Sequence, residues 1–503
     1  MADVVIDGRR LTPRQVAAVA SGATVSLDPA ALRRMLESAE LFPQHIIREK
    51  WSMLVGGEAP ADSAVAVRTF IEGHCAGVGE PLSEPVLRAL MVCRANVLAT
   101  GFSGARPEAV ELLLAMLNAG VTPVVPSVGA VGVGGSIALA HVARVMCRYG
   151  GKVRRNGELV PLEEAMRGLP ELVPTEKDAL SLLNGSTLTT AMGALAVAGA
   201  HTLLDAAVAA CALSYEVVRA DLHCLAEGPL AARNHPGAVM VARRLRLLTD
   251  QSTLATLQRR PDSFSVRCAP HTLGAAYDTL HYVEEVVTRE LNAAVDNPLV
   301  FADSREVLEG GNFHGAPVAL VMDHLKAGLT QVGSMAERRL FRLTYGQLSG
   351  LPSFLVHGTG FNSGLMLAQY TAASLVSECK GLSHPASVDS VPTIQHHEDH
   401  ISMGPIAASG ALHLVDLLAD VVAIELLCAA QGLDFRTGSE EAGRAGRGSR
   451  SIHAAVREIV PRWDADRVLH TDLRALGAAV RAGRFGPDAI QLAPVEPAVA
   501  GGV

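Results

Sequence analysis

Aromatic side chains are scarce in this 503-residue chain, at 4% of residues, and no tyrosine occurs before Tyr149. Aliphatic residues must therefore fill any core, and Ala, Leu and Val dominate the 49% apolar fraction, as packed helices require. No CxxC pair is present. The eight cysteines (Cys75, Cys93, Cys147, Cys211, Cys224, Cys268, Cys379 and Cys428) stand singly, most of them in apolar helical text. That scatter reads as reduced core residues and argues against disulfides or a cysteine zinc site. There is no basic run, and a formal net charge of −8 gives no reason to expect a nucleic-acid partner. The opening MADVVIDGRRLTPRQ lacks the apolar stretch of a secretory signal, so the cytoplasm is the expected compartment.

Charge is also missing from Ala179 to Leu204, a run long enough to span a bilayer. It contains Asn184, Ser186, Thr187, Thr189, Thr190 and His201, however, and ends directly in Asp205. No basic asymmetry flanks it, so the expectation is a helix buried on all sides, with no membrane partner.

Helical patterns carry most of the chain. Pro at the first helical position suits starts after Thr12 and Asp28. A mixed-face helix is expected over 84–100, then a GFSGARPE turn and a second helix to about Asn118, followed by a Pro/Gly/Val segment from Val121 to Gly135. Five long patterns follow, over 176–222, 271–295, 315–346, 362–383 and 399–432. Helices this long and apolar are buried only against one another. The expected fold is all-α, an elongated bundle of long central helices, with neighbouring subunits finishing the core of a homotetramer. The domain reading is an N-terminal region 1–175, a central bundle 176–435 and a C-terminal helical tail 436–503. The glycines of GVGG (132–135) follow no strand of a βαβ unit, so a dinucleotide fingerprint is weak; close backbone approach is their more natural role.

Polar clusters interrupt the apolar helices at HCAGVGEPL (74–82), LLNGST (182–187), FSVRC (264–268), DNPL (296–299), GGNFHG (310–315), ERRL (337–340), SECKGLSHPASVDSVPT (377–393) and HHEDHISMG (396–404). Buried Asn, Arg, Glu and His are unfavourable unless paired, so several such clusters in one bundle point to a pocket.

With RANVLATGFSGARPE, SGLPSFL and NSGLMLAQYTAASL in the same order, these motifs resemble the aromatic amino-acid lyase family, which comprises the histidine, phenylalanine and tyrosine ammonia-lyases and the aminomutases. The motifs lie nearest the histidine branch, and the resemblance runs from LTPRQVAAVA to VLHTDL. It implies a tetramer with four sites, each lined by three subunits, and an Ala-Ser-Gly tripeptide cyclised to an electrophilic methylidene-imidazolone. His74 then matches the position that reads the substrate ring, Asn184 the Asn beside the prosthetic group, Arg267 the carboxylate-binding Arg and Phe313 the pocket Phe. Glu398 matches an acid near the ring or amine. His396 and His397 replace the family's Asn-Gln, and Phe264 replaces a tyrosine of the YSLRC motif.

The largest departure is the tripeptide itself. Matched from either side, the serine position falls on Gly134 or Val133, so Val133-Gly134-Gly135 carries no serine. Ser136 could serve only in a ring closed by the amide of Ile137, a β-branched residue disfavoured in a tight turn; its plainer role is a helix N-cap. The family's tyrosine loop should precede His74, where REKWSMLVGGEAP stands.

These departures lead to the expectation of a divergent lyase-like enzyme without a methylidene-imidazolone or any other cofactor. It would catalyse elimination, addition, isomerisation or cyclisation on an amino-acid-derived carboxylate by a non-standard mechanism. Glu398, His397 and His74 would be its catalytic groups, and Arg267, Asn184, Phe313, His396 and Phe264 its binding groups. One alternative is an ammonia-lyase or aminomutase acting on histidine or a similar amino acid; another is a non-catalytic ligand-binding protein. For each residue a structural role stays open: His74 and Asn184 as satisfied core polars, Arg267 paired with a carboxylate. His396 and His400, one helical turn apart, could suggest a metal, but none is expected because the family motif holds none.

Overall fold

The computed structural model describes residues 3–42, 62–132, 136–258, 262–358, 360–394, 397–438 and 443–490, the side chain of Ser136 excepted. Helices dominate. The long ones are Glu84–Ala99, Thr187–Val218, Ala269–Leu291, Ala316–Thr344, Met366–Leu382 and Gly404–Thr437. Two compact units are formed, each discontinuous in sequence: Met1–Ala198 with Val283–Asp323 and Pro385–Ser409, and Gly199–Tyr282 with His324–His384 and Gly410–Val503.

In the first unit, Glu84–Ala99 is buried from Val86 to Ala99 and packs against Pro13–Ala20 and Pro107–Asn118. Its Arg88 is buried with backbone partners. Arg88 donates to the carbonyls of Val19 at 2.8 Å and Leu117 at 3.0 Å, near the C-terminal ends of both neighbouring helices. The neighbours begin where local chemistry directs: Thr12 and Gln15 form a capping box ahead of Pro13. Short strands, which helical periodicity does not announce, complete this unit. Val4–Ile6 pairs in parallel with Val25–Leu27, and Val78–Pro81 pairs antiparallel with Pro126–Val128. The Pro/Gly/Val segment thus contributes strands, as its β-branched valines permit.

The charge-free run is one helical stretch long and apolar enough to cross a membrane by composition, and 67% of its most apolar window is buried within the structure. It is not continuous. Glu176–Leu183 ends at Asn184, whose ψ of 146° is extended, and Thr187–Val218 starts three residues later. Gly185 makes the break: its φ is +107°, and a Cβ there would lie 2.1 Å from the Val295 carbonyl oxygen, so no side chain fits.

In the second unit two ion-pair clusters are built from buried or half-buried residues. Arg339 donates from Nε and Nη2 to the two carboxylate oxygens of Glu425 at 2.5 and 2.8 Å, with both residues almost fully buried. Asp434 accepts from His453 and Arg457, tying the Arg447–Ile459 helix to the end of Gly404–Thr437.

Candidate functional site

Three helix starts and one loop converge in the first unit. Ser186 precedes Thr187–Val218, Gly315 precedes Ala316–Thr344, and Ser402 precedes Gly404–Thr437. Gly315 and the Ser402–Gly404 turn lie against Gly132, the last described residue before the 133–135 segment, and Ser186 in turn lies against Gly315. The Ser402 hydroxyl donates to the Gly132 carbonyl at 2.9 Å, and the Gly315 amide approaches the same oxygen at 3.4 Å. A Cβ on Gly132, whose φ is +101°, would stand 2.2 Å from Ser402 Oγ. Helix N-termini present unpaired N–H groups and the positive end of the helix dipole, so their convergence favours developing negative charge at this loop.

Asn184 sits one turn of chain from that point. Its amide nitrogen donates to Asp296 Oδ1 at 3.0 Å and to the Asn297 carbonyl at 3.1 Å, so both hydrogens are engaged and the side chain presents its oxygen. Asp296 is fully buried, with Lys177 Nζ at 3.6 Å and Arg94 Nη2 at 3.9 Å. Burial by itself would raise the Asp296 carboxyl; Lys177 and Arg94 outweigh it and hold the group below its ordinary range. Burial pulls Arg94 down to about 10, against the attraction of Asp296. An anion that accepts only therefore fixes which way the Asn184 amide faces.

His74 caps the Ser63–Gly73 helix, and the strand Val78–Pro81 that follows it pairs with Pro126–Val128, the strand leading to Gly132. Its Nδ1 lies 2.7 Å from the Phe70 carbonyl and its ring 4.4 Å from that of Phe70. A carbonyl only accepts, so Nδ1 carries the proton. Phe313 is half-buried in the loop before Ala316, and His314 stacks on His400 at 5.5 Å. Glu398 is half-buried, bridged through the backbone to Thr393 and accepting from its hydroxyl at 2.5 Å, whereas His397 is exposed. His400 precedes the helix rather than lying in it, which removes the helical-turn argument for a metal pair. His396, Val133, Gly134, Gly135 and the REKWSMLVGGEAP stretch lie outside the described residues.

Arg267 and Phe264 belong to the second unit. Arg267 closes the short helix Phe264–Arg267, is exposed, and lies over the Phe264 ring at 5.1 Å. Among the described residues no carboxylate is within ion-pair distance of it.

One site residue escapes sequence reasoning. Glu290 accepts from the Ser186 hydroxyl at 2.7 Å, beside the convergence point, yet VVTREL is ordinary helical text and offers no signal. Burial raises its carboxyl above the usual value, with the Ser186 bond opposing. The ionised form thus opposes folding once the pH exceeds the folded value, and the penalty fades as the pH falls toward the unfolded value of 4.5. Glu290→Gln should raise Tm at pH 8 by about one to two degrees and leave it unchanged near pH 4. Thermal scans at both pH values check this.

The family model for aromatic amino acid lyases matches residues 11–458. A histidine ammonia-lyase of Caldanaerobacter subterraneus subsp. tengcongensis is 41% identical over 96% of this chain and 98% of its own length. One from Symbiobacterium thermophilum is 42% identical over 95% of this chain and 96% of its own. Among solved structures, histidine ammonia-lyase from Trypanosoma cruzi superposes with a TM-score of 0.88 at 35% identity, covering 97% of this chain and 95% of that one.

These relatives overturn two expectations drawn from Val133-Gly134-Gly135: a divergent enzyme with a non-standard mechanism, and the absence of a prosthetic group. Similarity at this level over the whole length carries more weight than three residues of one loop, and the relatives' names favour an ordinary ammonia-lyase. The loop residues still have to be matched to the chemistry. A methylidene group needs the β-carbon of a serine, and the side chains at 133–135 supply none.

Proposed function

Since the chain belongs to the aromatic amino acid lyase family, we propose that it is an ammonia-lyase acting on L-histidine. The observation that carries this reading is the identity of about 41% to histidine ammonia-lyases across essentially the full length of both chains. In this reading Arg267 holds the substrate carboxylate through its guanidinium fork. His74, its Nδ1 bonded to the Phe70 carbonyl, reads the substrate imidazole. Asn184 presents its oxygen to the substrate ammonium, and Phe313 closes the apolar wall. Glu398, with His397 beside it, lies near the amine and takes up a proton. The helix N-termini gathered around Gly132 and Gly315 favour the electron-rich state reached when the β-proton departs. The family's electrophile, when bound, would supply the activation of the amine. Ser136, the only hydroxyl-bearing residue between Gly129 and Ile137, is the serine that this reading requires.

Assembly as a homotetramer in the cytoplasm, with each site completed by neighbouring subunits, belongs to the same proposal. Support comes from large apolar side chains left on the surface of long helices, such as Leu320 at 58%, Leu367 at 54% and Tyr370 at 64% exposure. The test combines two measurements. Incubation with L-histidine should release ammonia and build the ultraviolet absorbance of the conjugated imidazolyl acrylate. The intact mass should fall short of the sequence mass by two waters, a deficit that Ser136→Ala removes. An unmodified mass together with no acrylate would overturn the proposal.

A further inference from the structure

Arg267 is exposed, but the two residues before it are buried, and their carbonyls are gripped from below. Tyr215, fully buried, donates from its hydroxyl to the Val266 carbonyl at 2.7 Å. Arg339 donates from Nη1 to the Ser265 carbonyl at 3.3 Å while its other nitrogens are committed to Glu425. Ser214, adjacent to Tyr215, donates to Glu425 Oε1 at 2.7 Å and so holds that carboxylate from a second side. The backbone of Phe264–Arg267 thus rests on side chains from two long helices, Thr187–Val218 and Ala316–Thr344, and the second of these side chains is held by Glu425 of Gly404–Thr437. Every group in this platform belongs to the second unit.

A buried ion pair is weak support for stability in itself, since desolvation offsets most of the attraction. Its geometric effect is stronger. A four-residue helix has too few internal hydrogen bonds to hold its own orientation, and its last carbonyls need outside donors. Two buried donors set the direction in which the helix end, and Arg267 on it, projects. A guanidinium that must meet a carboxylate with both prongs tolerates little angular error.

We propose that Tyr215 and the Arg339–Glu425 pair are positioning residues for Arg267, setting the affinity for the carboxylate of the substrate without touching it. This rests on the assignment of Arg267 to the carboxylate. The carboxylate contact is present in the ground state and the transition state alike, so its weakening raises KM and leaves kcat little changed.

The test compares L-histidine with histamine, the same molecule without its carboxylate. Tyr215→Phe keeps the ring and removes the donor. It should weaken L-histidine about three- to tenfold, in Kd by calorimetry and in KM, with kcat and the Kd of histamine unchanged. In an Arg267→Ala background the same change should have no further effect. Should Tyr215→Phe fail to fold, Ser214→Ala loosens Glu425 from the other side and should give the same pattern. An unchanged L-histidine affinity in these variants, or equal losses for histamine, overturns the positioning role alone. Arg267→Ala binding L-histidine as tightly as the wild type overturns the assignment of Arg267 as well. A wild type that binds no L-histidine overturns the functional reading with it.

Discussion

Arg267→Ala should raise KM for L-histidine about a hundredfold, because two charge-assisted hydrogen bonds to the carboxylate are lost together. The stability of the fold should be unaffected. Arg267 is exposed and its described contact is the Phe264 ring, so removing it breaks no buried network. Arg267→Lys should recover only part of the loss, because an ammonium keeps the charge but not the planar fork. Steady-state kinetics on the three proteins, with thermal scans alongside, check this. A KM unchanged in Arg267→Ala would remove the carboxylate from this residue.

Asp296→Asn should be the most damaging single change to the first unit. It leaves Lys177 and Arg94, both buried, without their shared anion. Breaking a buried pair from one side costs about 3–5 kcal/mol. The sign of the pH dependence follows from the lowered folded value. The contribution of Asp296 is fully present above the unfolded value of 3.8 and is lost as the pH falls through the folded one. The stability gap between wild type and variant, measured by denaturant midpoints, should therefore be largest near neutrality and shrink in strong acid. Activity should fall as well. An asparagine at 296 can donate as well as accept, so the Asn184 amide loses the partner that fixes its orientation. A gap that persisted unchanged to low pH would mean that Asp296 is not held as an anion.

The polar motifs marked much of the candidate site. LLNGST located Asn184, DNPL located the Asp296 and Asn297 that hold it, FSVRC located Arg267, and ERRL located Arg339 beneath it. Polar residues inside apolar helices stand out because burial without partners is so unfavourable. Tyr215 and Glu290 gave no such signal. Each lies in ordinary helical text, and its role depends on a partner 51 or 104 residues away along the chain. The three-residue departure at Val133 to Gly135 misled in the opposite direction, because a local loss was read as a change of chemistry for the whole chain.

Sequence alone determined the helical class, the long-helix spans and the family, because apolar periodicity and motif order are properties of the chain itself. It could not place the break at Asn184 to Ser186, the strands around His74, or the meeting of helix N-termini around Gly132 and Gly315. Those depend on which carbonyl, hydroxyl or carboxylate arrives from a distant segment. Tertiary structure decided them, since a hydrogen bond or a steric limit such as that at Gly185 exists only once both partners are in place.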